Sequence, residues 1–170
     1  GRGGMLSMSR QVQNQITSMR PTYETQEDLD IENKIASLLE KTWNCDMVKM
    51  PVRYHLDFVM KRNGKAVAFC EIKTRNRTME AINKLGGYLL DIGKWSSAKQ
   101  LVDCSGLPFI LVVCTLDGTY YARFTEFVPK GIDVKGRTDR NDWQDVGPCV
   151  VLDTQLFKKL PPDSQLTETI

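Results

Sequence analysis

Two strand-like segments joined by a polar turn constrain the fold of this chain more than any other feature of its sequence. Residues 52–60 alternate between apolar and polar side chains, which predicts a strand with one buried face. Residues 66–73 are apolar on both faces until Glu71, a pattern typical of a central strand. The sequence Arg62-Asn63-Gly64-Lys65 between them predicts a tight hairpin turn, so the two segments should pair antiparallel.

Helical and strand patterns on either side of this hairpin follow a simple order. The predicted elements are a helix over residues 25–43, strands over 45–51, 52–60 and 66–73, a mostly helical segment over 78–104, and strands over 108–115 and 119–127. Gly86-Gly87 should interrupt the helical segment, and Asp117-Gly118 should turn the last two strands into a hairpin. The order predicts an α/β or α+β domain with a sheet flanked by helices.

The length of 170 residues suits a single domain with its own hydrophobic core. We expect that domain to occupy residues 23–160. Residues 1–22 open with the glycine-rich Gly1-Arg2-Gly3-Gly4 and are expected to form a flexible lead, and residues 161–170 are expected to form a polar tail.

Charge and cysteine content narrow the class of protein. A formal net charge of +2 gives no strong overall field, so a nucleic-acid interface would need a local basic patch. The five cysteines are odd in number and form no CxxC motif, which indicates a reducing, cytoplasmic location. No apolar run is long enough to span a bilayer and no signal peptide is recognisable, so we expect no membrane partner.

The single histidine, His55, excludes zinc sites built from several histidines and metalloproteases with an HExxH motif. A serine or cysteine hydrolase with a catalytic histidine would have to use this one residue. Carboxylates with a hard metal cation are therefore the favoured basis for any hydrolytic chemistry in this chain.

Three charged residues on the predicted hairpin form a candidate active site. Glu71 and Lys73 are two residues apart on one strand, so they share a face, and Asp57 lies on the adjacent strand. Two carboxylates can bind Mg²⁺ or Mn²⁺ through hard oxygens and leave positions for water and a substrate phosphate. A lysine beside them can position the attacking water or offset charge on phosphorus. The alternative interpretation is a surface ion pair at a solvated strand end.

These residues resemble the core motif of the PD-(D/E)XK nuclease superfamily, in which an aspartate is followed by an acid-x-lysine sequence on the next strand. Asp57 matches the aspartate, Glu71 the second acid and Lys73 the lysine. Leu56 stands where the family motif has its proline, a change that the family tolerates.

The resemblance extends to the helices and to the order of elements. Glu32 matches an acid on the family's first helix, and its place beside the buried stripe is unusual for a carboxylate that binds nothing. The family often supplies a further polar residue from the second helix, where Lys94 is our candidate and Gln100 competes with it. The αβββαβ order resembles the family's restriction-endonuclease-like core, a mixed central sheet flanked by helices, over residues 25–127.

The resemblance implies a stand-alone phage or bacterial nuclease that hydrolyses DNA with Mg²⁺ or Mn²⁺, as an endonuclease. Asp57, Glu71 and the Ile72 carbonyl would be its metal ligands. Enzymes that cut both strands of DNA commonly need two sites, so a homodimer is one expected form. The alternatives are a non-catalytic nucleic-acid-binding or assembly module with this fold, and a hydrolase of small phosphates, which would need a closed pocket.

Basic residues around the hairpin are candidates for DNA binding through phosphate contacts. They are His55, Arg62, Lys65, Arg75 and Arg77. The cluster at residues 61–65 could equally be an ordinary polar turn, and His55 could equally be a half-buried strand residue.

The hairpin turn and the charged residues conflict over strand register. A regular hairpin with a two-residue loop at Asn63-Gly64 places Asp57 opposite Cys70 and turns it away from Glu71. The apolar pattern and the chemistry both require a register that differs by one residue. We therefore predict an odd-length loop or a β-bulge between Asp57 and Glu71.

Overall fold

The computed structural model describes residues 25–51, 56–136 and 146–161 of the chain. The chain divides into two compact units, Gly1–Ile31 and Glu32–Ile170. The predicted flexible lead over residues 1–22 lies outside the described residues, and so does the predicted polar tail from residue 162 onward.

Helix α1 (Gln26–Trp43) is capped by side chains at both ends. At its start, the Asp28 amide donates to Thr25 Oγ1 and the Thr25 amide donates to Asp28 Oδ2, both at 3.1 Å. At its end, Arg62 donates from Nε to the Asn44 carbonyl oxygen at 2.9 Å and from Nη2 to the Trp43 carbonyl oxygen at 2.6 Å. The N-terminal cap is the helix start that the sequence predicts, whereas the role of Arg62 depends on a contact that is remote in sequence.

Six strands form the main sheet of the second unit. They are β1 (Asp46–Lys49), β2 (Phe58–Arg62), β3 (Lys65–Thr74), β5 (Phe109–Thr115), β6 (Gly118–Phe124) and β9 (Lys158–Lys159), in the order β1-β2-β3-β5-β6-β9. Strand β3 pairs antiparallel with β2 and parallel with β5, so the sheet is mixed, as expected. Residues 109–113 are fully buried at its centre, which explains why this segment is a continuous apolar run.

A second sheet, which the sequence did not predict, contains three strands. They are β4 (Tyr88–Asp91), β8 (Val146–Leu152) and β7 (Gly131–Gly136), in the order β4-β8-β7. The prediction that residues 88–91 are helical is wrong, because these residues pair with β8, a distant partner that local periodicity cannot reveal. Gly86 and Gly87, at φ of 106° and 137°, separate the short helix α2 (Met79–Lys84) from β4.

Helices cover both faces of the main sheet. Helix α3 (Ile92–Ser105) packs on the core cluster that contains Leu111, and it ends as predicted, at Gly106 in the left-handed region. On the opposite face, the Trp43 ring of α1 lies edge to face with the Tyr121 ring, with centroids 5.2 Å apart. Across the described residues, the helices are too short or too polar to cross a membrane.

The predicted β-bulge is confirmed in the hairpin of β2 and β3. Asn63-Gly64 forms the two-residue turn, with both residues at positive φ, as this type of turn requires. The register then shifts by one residue at the Met60–Lys61 step. As a result Asp57 aligns with Glu71 instead of Cys70, and both carboxylates face the same side of the sheet.

Gly87 should not accept a side chain, because a Cβ atom there would lie 2.6 Å from the Leu152 carbonyl oxygen of β8. Gly86 also has positive φ, but an added Cβ would meet no atom within 4 Å, so Gly86→Ala is a matched control for backbone strain. We expect Gly87→Ala to lower the free energy of unfolding by about 1–3 kcal/mol more than Gly86→Ala, the usual range for overpacking. Urea denaturation measures both losses, and equal losses would mean that β4 does not pack closely on β8.

Candidate active site

Asp57 and Glu71 are held together by two hydrogen bonds from backbone amides. The Asp57 amide donates to Glu71 Oε2, and the Ile72 amide donates to Asp57 Oδ2, both at 3.0 Å. Asp57 directly precedes β2, which begins at Phe58, so it lies at the end of the strand and not within it as predicted. The pairing of β2 with β3 ends at Phe58. The two carboxylates therefore accept hydrogen bonds from backbone amides that have no partner in that strand pairing.

The side chain of Glu71 is fully buried, with 0% of its surface exposed, which is an unusual position for a charge. Its second oxygen, Oε1, lies 3.1 Å from Lys73 Nζ and 3.1 Å from Lys94 Nζ. Two cations therefore offset the buried charge, and both do so at the same carboxylate oxygen.

Lys73 is held in its protonated form. Burial has the largest single effect and lowers the pKa of Lys73, but the attraction and hydrogen bonding of the Glu71 carboxylate, together with smaller contributions from Tyr88 and Asp57, outweigh burial and leave that pKa above its ordinary value. Lys73 lies two residues after Glu71 on β3, so the two share a face, as the sequence predicts. It is therefore an ammonium that donates hydrogen bonds, and not a neutral amine that could take a proton from water.

Lys94 reaches Glu71 from the first turn of α3. Asp91 caps this helix by accepting from the amides of Gly93, at 2.8 Å, and Lys94, at 3.3 Å. A positive charge in the first turn interacts unfavourably with the helix dipole, so Lys94 does not stabilise α3. Its ion pair with Glu71 offsets this unfavourable interaction. Of the two candidates on this helix, Gln100 is exposed, whereas Lys94 contacts the site.

Glu32 and Asp57 are connected through a lysine that sequence analysis did not single out. Lys49 Nζ forms an ion pair with Glu32 Oε1 and lies 3.7 Å from Asp57 Oδ1. Glu32 is buried on α1, as its place beside the apolar stripe predicts. Lys49 ends β1 and pairs with Phe58, the neighbour of Asp57, and only this strand pairing brings it to the site.

Arg75 and Arg77 follow β3 at the end that carries Lys73. The Arg75 guanidinium lies over the Tyr88 ring, 5.1 Å from its centroid, and Arg77 is exposed. Burial raises the pKa of Tyr88, so its phenol is neutral and adds no charge here. Two of the predicted DNA-binding residues therefore lie on the side of the carboxylates.

The other predicted DNA-binding residues are not brought to this end of the sheet. Arg62 and Lys65 flank the hairpin turn, about 17 Å from Asp57 at the usual rise of about 3.3 Å per strand residue. The guanidinium of Arg62 caps helix α1. His55 lies outside the described residues.

Two carboxylate oxygens of this site fit a hard divalent cation. Asp57 Oδ1 and Glu71 Oε1 are the oxygens that the backbone hydrogen bonds do not use, and both contact ammonium groups, which take the place of a counter-cation. In the part of the chain that the structure describes, no group of three or more acidic, histidine or cysteine side chains could hold a metal. A cation bound by this pair would therefore complete its coordination with backbone, water or substrate oxygens.

Comparison with known families agrees with this architecture. A family model described as "Phage putative PDDEXK endonuclease" matches residues 18–160, which include every element from α1 to β9. No curated protein was found to match the chain. The mixed sheet with helices on both faces is the restriction-endonuclease-like fold that such a family implies. The chain therefore belongs to the family that this model describes, a phage family of the PD-(D/E)XK nuclease superfamily.

Proposed function

We propose that this protein is an endonuclease that hydrolyses DNA phosphodiester bonds, with Mg²⁺ or Mn²⁺ as its cofactor. The observation that carries the proposal is the buried carboxylate of Glu71, held beside Asp57 and in contact with two lysines. A surface ion pair does not account for it, because such pairs lie in solvent and contribute little to stability. A hydrolytic site does account for it, because charge that develops on a phosphate is stabilised most by groups fixed away from water.

The metal ligands in this proposal are Asp57 Oδ1, Glu71 Oε1 and the Ile72 carbonyl oxygen. The first two are hard anionic oxygens, the ligand type that both cations prefer, and neither of them accepts one of the two backbone hydrogen bonds that hold the carboxylates together. A cation bound there would polarise a phosphate oxygen and lower the pKa of a bound water. The two bonds from backbone amides hold both carboxylates in place, so the site needs little reorganisation to bind.

Lys73 supplies positive charge where negative charge grows on the phosphate. Without a bound cation its pKa is raised, so the role we assign to it is to donate hydrogen bonds to water or phosphate. Lys94 contacts the same oxygen of Glu71, so this buried carboxylate keeps one cation when Lys73 turns to the substrate.

DNA is the proposed substrate because Arg75 and Arg77 follow the strand that carries Glu71 and Lys73. Contacts from arginine to phosphate position a duplex without reading its sequence. With a net charge of only +2, the chain relies on such local contacts rather than on a strong overall field.

Cleavage of closed circular plasmid DNA tests the proposed function, since a circle has no ends and only an endonuclease can cut it. The wild-type protein should cut with Mg²⁺ or Mn²⁺ and should not cut with EDTA. Asp57→Asn and Glu71→Gln should each lower the rate by at least about 100-fold, because each removes charge on which the transition state depends. Glutamine is preferred to alanine at Glu71, since alanine would leave a buried cavity beside two lysines.

Asp103→Asn is the matched control, since Asp103 is an exposed carboxylate that pairs with Lys99 on α3. It should cut at the wild-type rate. Wild-type cutting by Asp57→Asn or by Glu71→Gln would contradict the proposed site. DNA binding without cleavage by the wild-type protein, with either cation, would identify a non-catalytic nucleic-acid-binding module instead.

Lys73→Met should reduce turnover more than DNA affinity, because the proposed role of this lysine is in the transition state. We expect kcat to fall by about 100-fold and the Kd for DNA to change by less than about threefold. Lys73→Arg, which keeps the positive charge, should retain more activity than Lys73→Met. A loss of affinity alone would make Lys73 a phosphate anchor.

A further inference from the structure

Lys49 is the most exposed of the three lysines that contact the carboxylates of the site. Its side chain is 50% exposed, against 31% for Lys73 and 25% for Lys94. The other two lysines both contact the buried Glu71, whereas the Lys49 ammonium lies 3.7 Å from Asp57 Oδ1. Each of the three ammonium groups is therefore beside an oxygen to which we assign the metal, and Lys49 is the one beside Asp57 Oδ1.

We propose that Lys49 competes with the divalent cation for Asp57, and that Glu32 limits this competition by holding the Lys49 ammonium on its own side. This inference rests on the proposed metal site at Asp57 and Glu71. An ammonium and a divalent cation near the same carboxylate oxygen repel each other strongly, so the Lys49 ammonium must move away when the cation binds.

The charges of the cluster support this competition. Three ammonium groups face three carboxylates, and the ion pairs join Lys49 to Glu32 and Asp57 and join the other two lysines to Glu71. Among the described residues the charges of these six groups cancel, and a divalent cation would add two positive charges. One of the ammonium groups therefore has to move away from the carboxylates, because otherwise the site would carry an excess of positive charge.

Lys49 is the lysine whose ammonium can move into solvent most easily. Half of its side chain is exposed, so the charged end can turn into solvent, with the loss of the contact in which Nζ lies 5.0 Å from the centre of the Phe58 ring. Lys73 and Lys94 are less exposed, and each lies 3.1 Å from an oxygen of the fully buried Glu71, so moving either of them into solvent costs more.

Glu32 is placed to hold Lys49 on the side away from Asp57. Its side chain is only 9% exposed, and among the described residues its ion pair with Lys49 is closer than the contact of this lysine with Asp57. A carboxylate so little exposed is costly without a partner, so Glu32 draws the ammonium toward itself. In this role Glu32 is a positioning residue that acts through Lys49 and does not bind the metal.

Titration with Mn²⁺ in the absence of DNA, followed by the electron paramagnetic resonance of the free ion, measures the competition directly. Lys49→Met removes the charge and keeps an apolar stem, and should bind Mn²⁺ about tenfold more tightly, which corresponds to about 1.4 kcal/mol. Lys49→Arg keeps the charge and should bind like wild type. Lys99→Met is the matched control, since Lys99 is exposed and pairs with Asp103 on α3, and it should not alter binding. Unchanged affinity in Lys49→Met would overturn the proposal.

A double-mutant cycle separates the proposed role of Glu32 from that of a metal ligand. Glu32→Gln alone should weaken Mn²⁺ binding, because the attraction that holds the Lys49 ammonium away from Asp57 is then lost. In the Lys49→Met background, Glu32→Gln should have no effect. Equal weakening in both backgrounds would make Glu32 a metal ligand and would overturn the proposal. Equal urea midpoints establish that the variants are folded.

Asp57→Asn distinguishes failure of this inference from failure of the proposed function. If Asp57→Asn abolishes Mn²⁺ binding while Lys49→Met leaves it unchanged, the metal site stands and the competition by Lys49 is wrong. If Asp57→Asn binds Mn²⁺ like wild type, the metal site is wrong, and the role of Lys49 fails with it.

Discussion

The buried negative charge of Glu71 is the interaction on which the rest of the site depends. A charge with no exposed surface must be offset within the protein, and the groups that offset it come from separate parts of the chain: the amide of Asp57, Lys73 on β3 and Lys94 on α3. Loss of one partner from a buried ion pair typically costs about 3–5 kcal/mol, and less where the lysines are partly exposed, as here. The hairpin and α3 must therefore both be in place before the site exists.

The position of each of those partners follows from backbone geometry. The bulge in the hairpin aligns Asp57 with Glu71, and without that shift of one residue the two carboxylates would face opposite sides of the sheet. Lys94 is in reach because α3 begins at Asp91, the last residue of β4, which is itself fixed by pairing with β8. The second sheet thus contributes to the site, although it supplies none of the residues assigned to catalysis.

The central part of the site could be predicted from sequence because its signals are local. Glu71 and Lys73 share a face by the two-residue period of a strand, and the bulge was required by a conflict between the Asn63-Gly64 turn and the apolar pattern. The strand over residues 88–91 and the contact of Lys49 could not be predicted, because both depend on pairing with strands that local sequence does not identify. Arg62 was assigned to DNA on its charge alone, whereas contact with the end of α1 gives it a structural role.

Anomalous scattering from a crystal grown with Mn²⁺ tests the central claim, that Asp57 and Glu71 jointly bind the cation, most directly. The predicted result is a peak about 2.0–2.3 Å from one oxygen of each carboxylate, with the Ile72 carbonyl oxygen as a third protein ligand. The ammonium of Lys49 should then lie farther from Asp57 than the present 3.7 Å. A peak that involves neither carboxylate, in a protein that cleaves DNA under the same conditions, would contradict the assignment of the metal site.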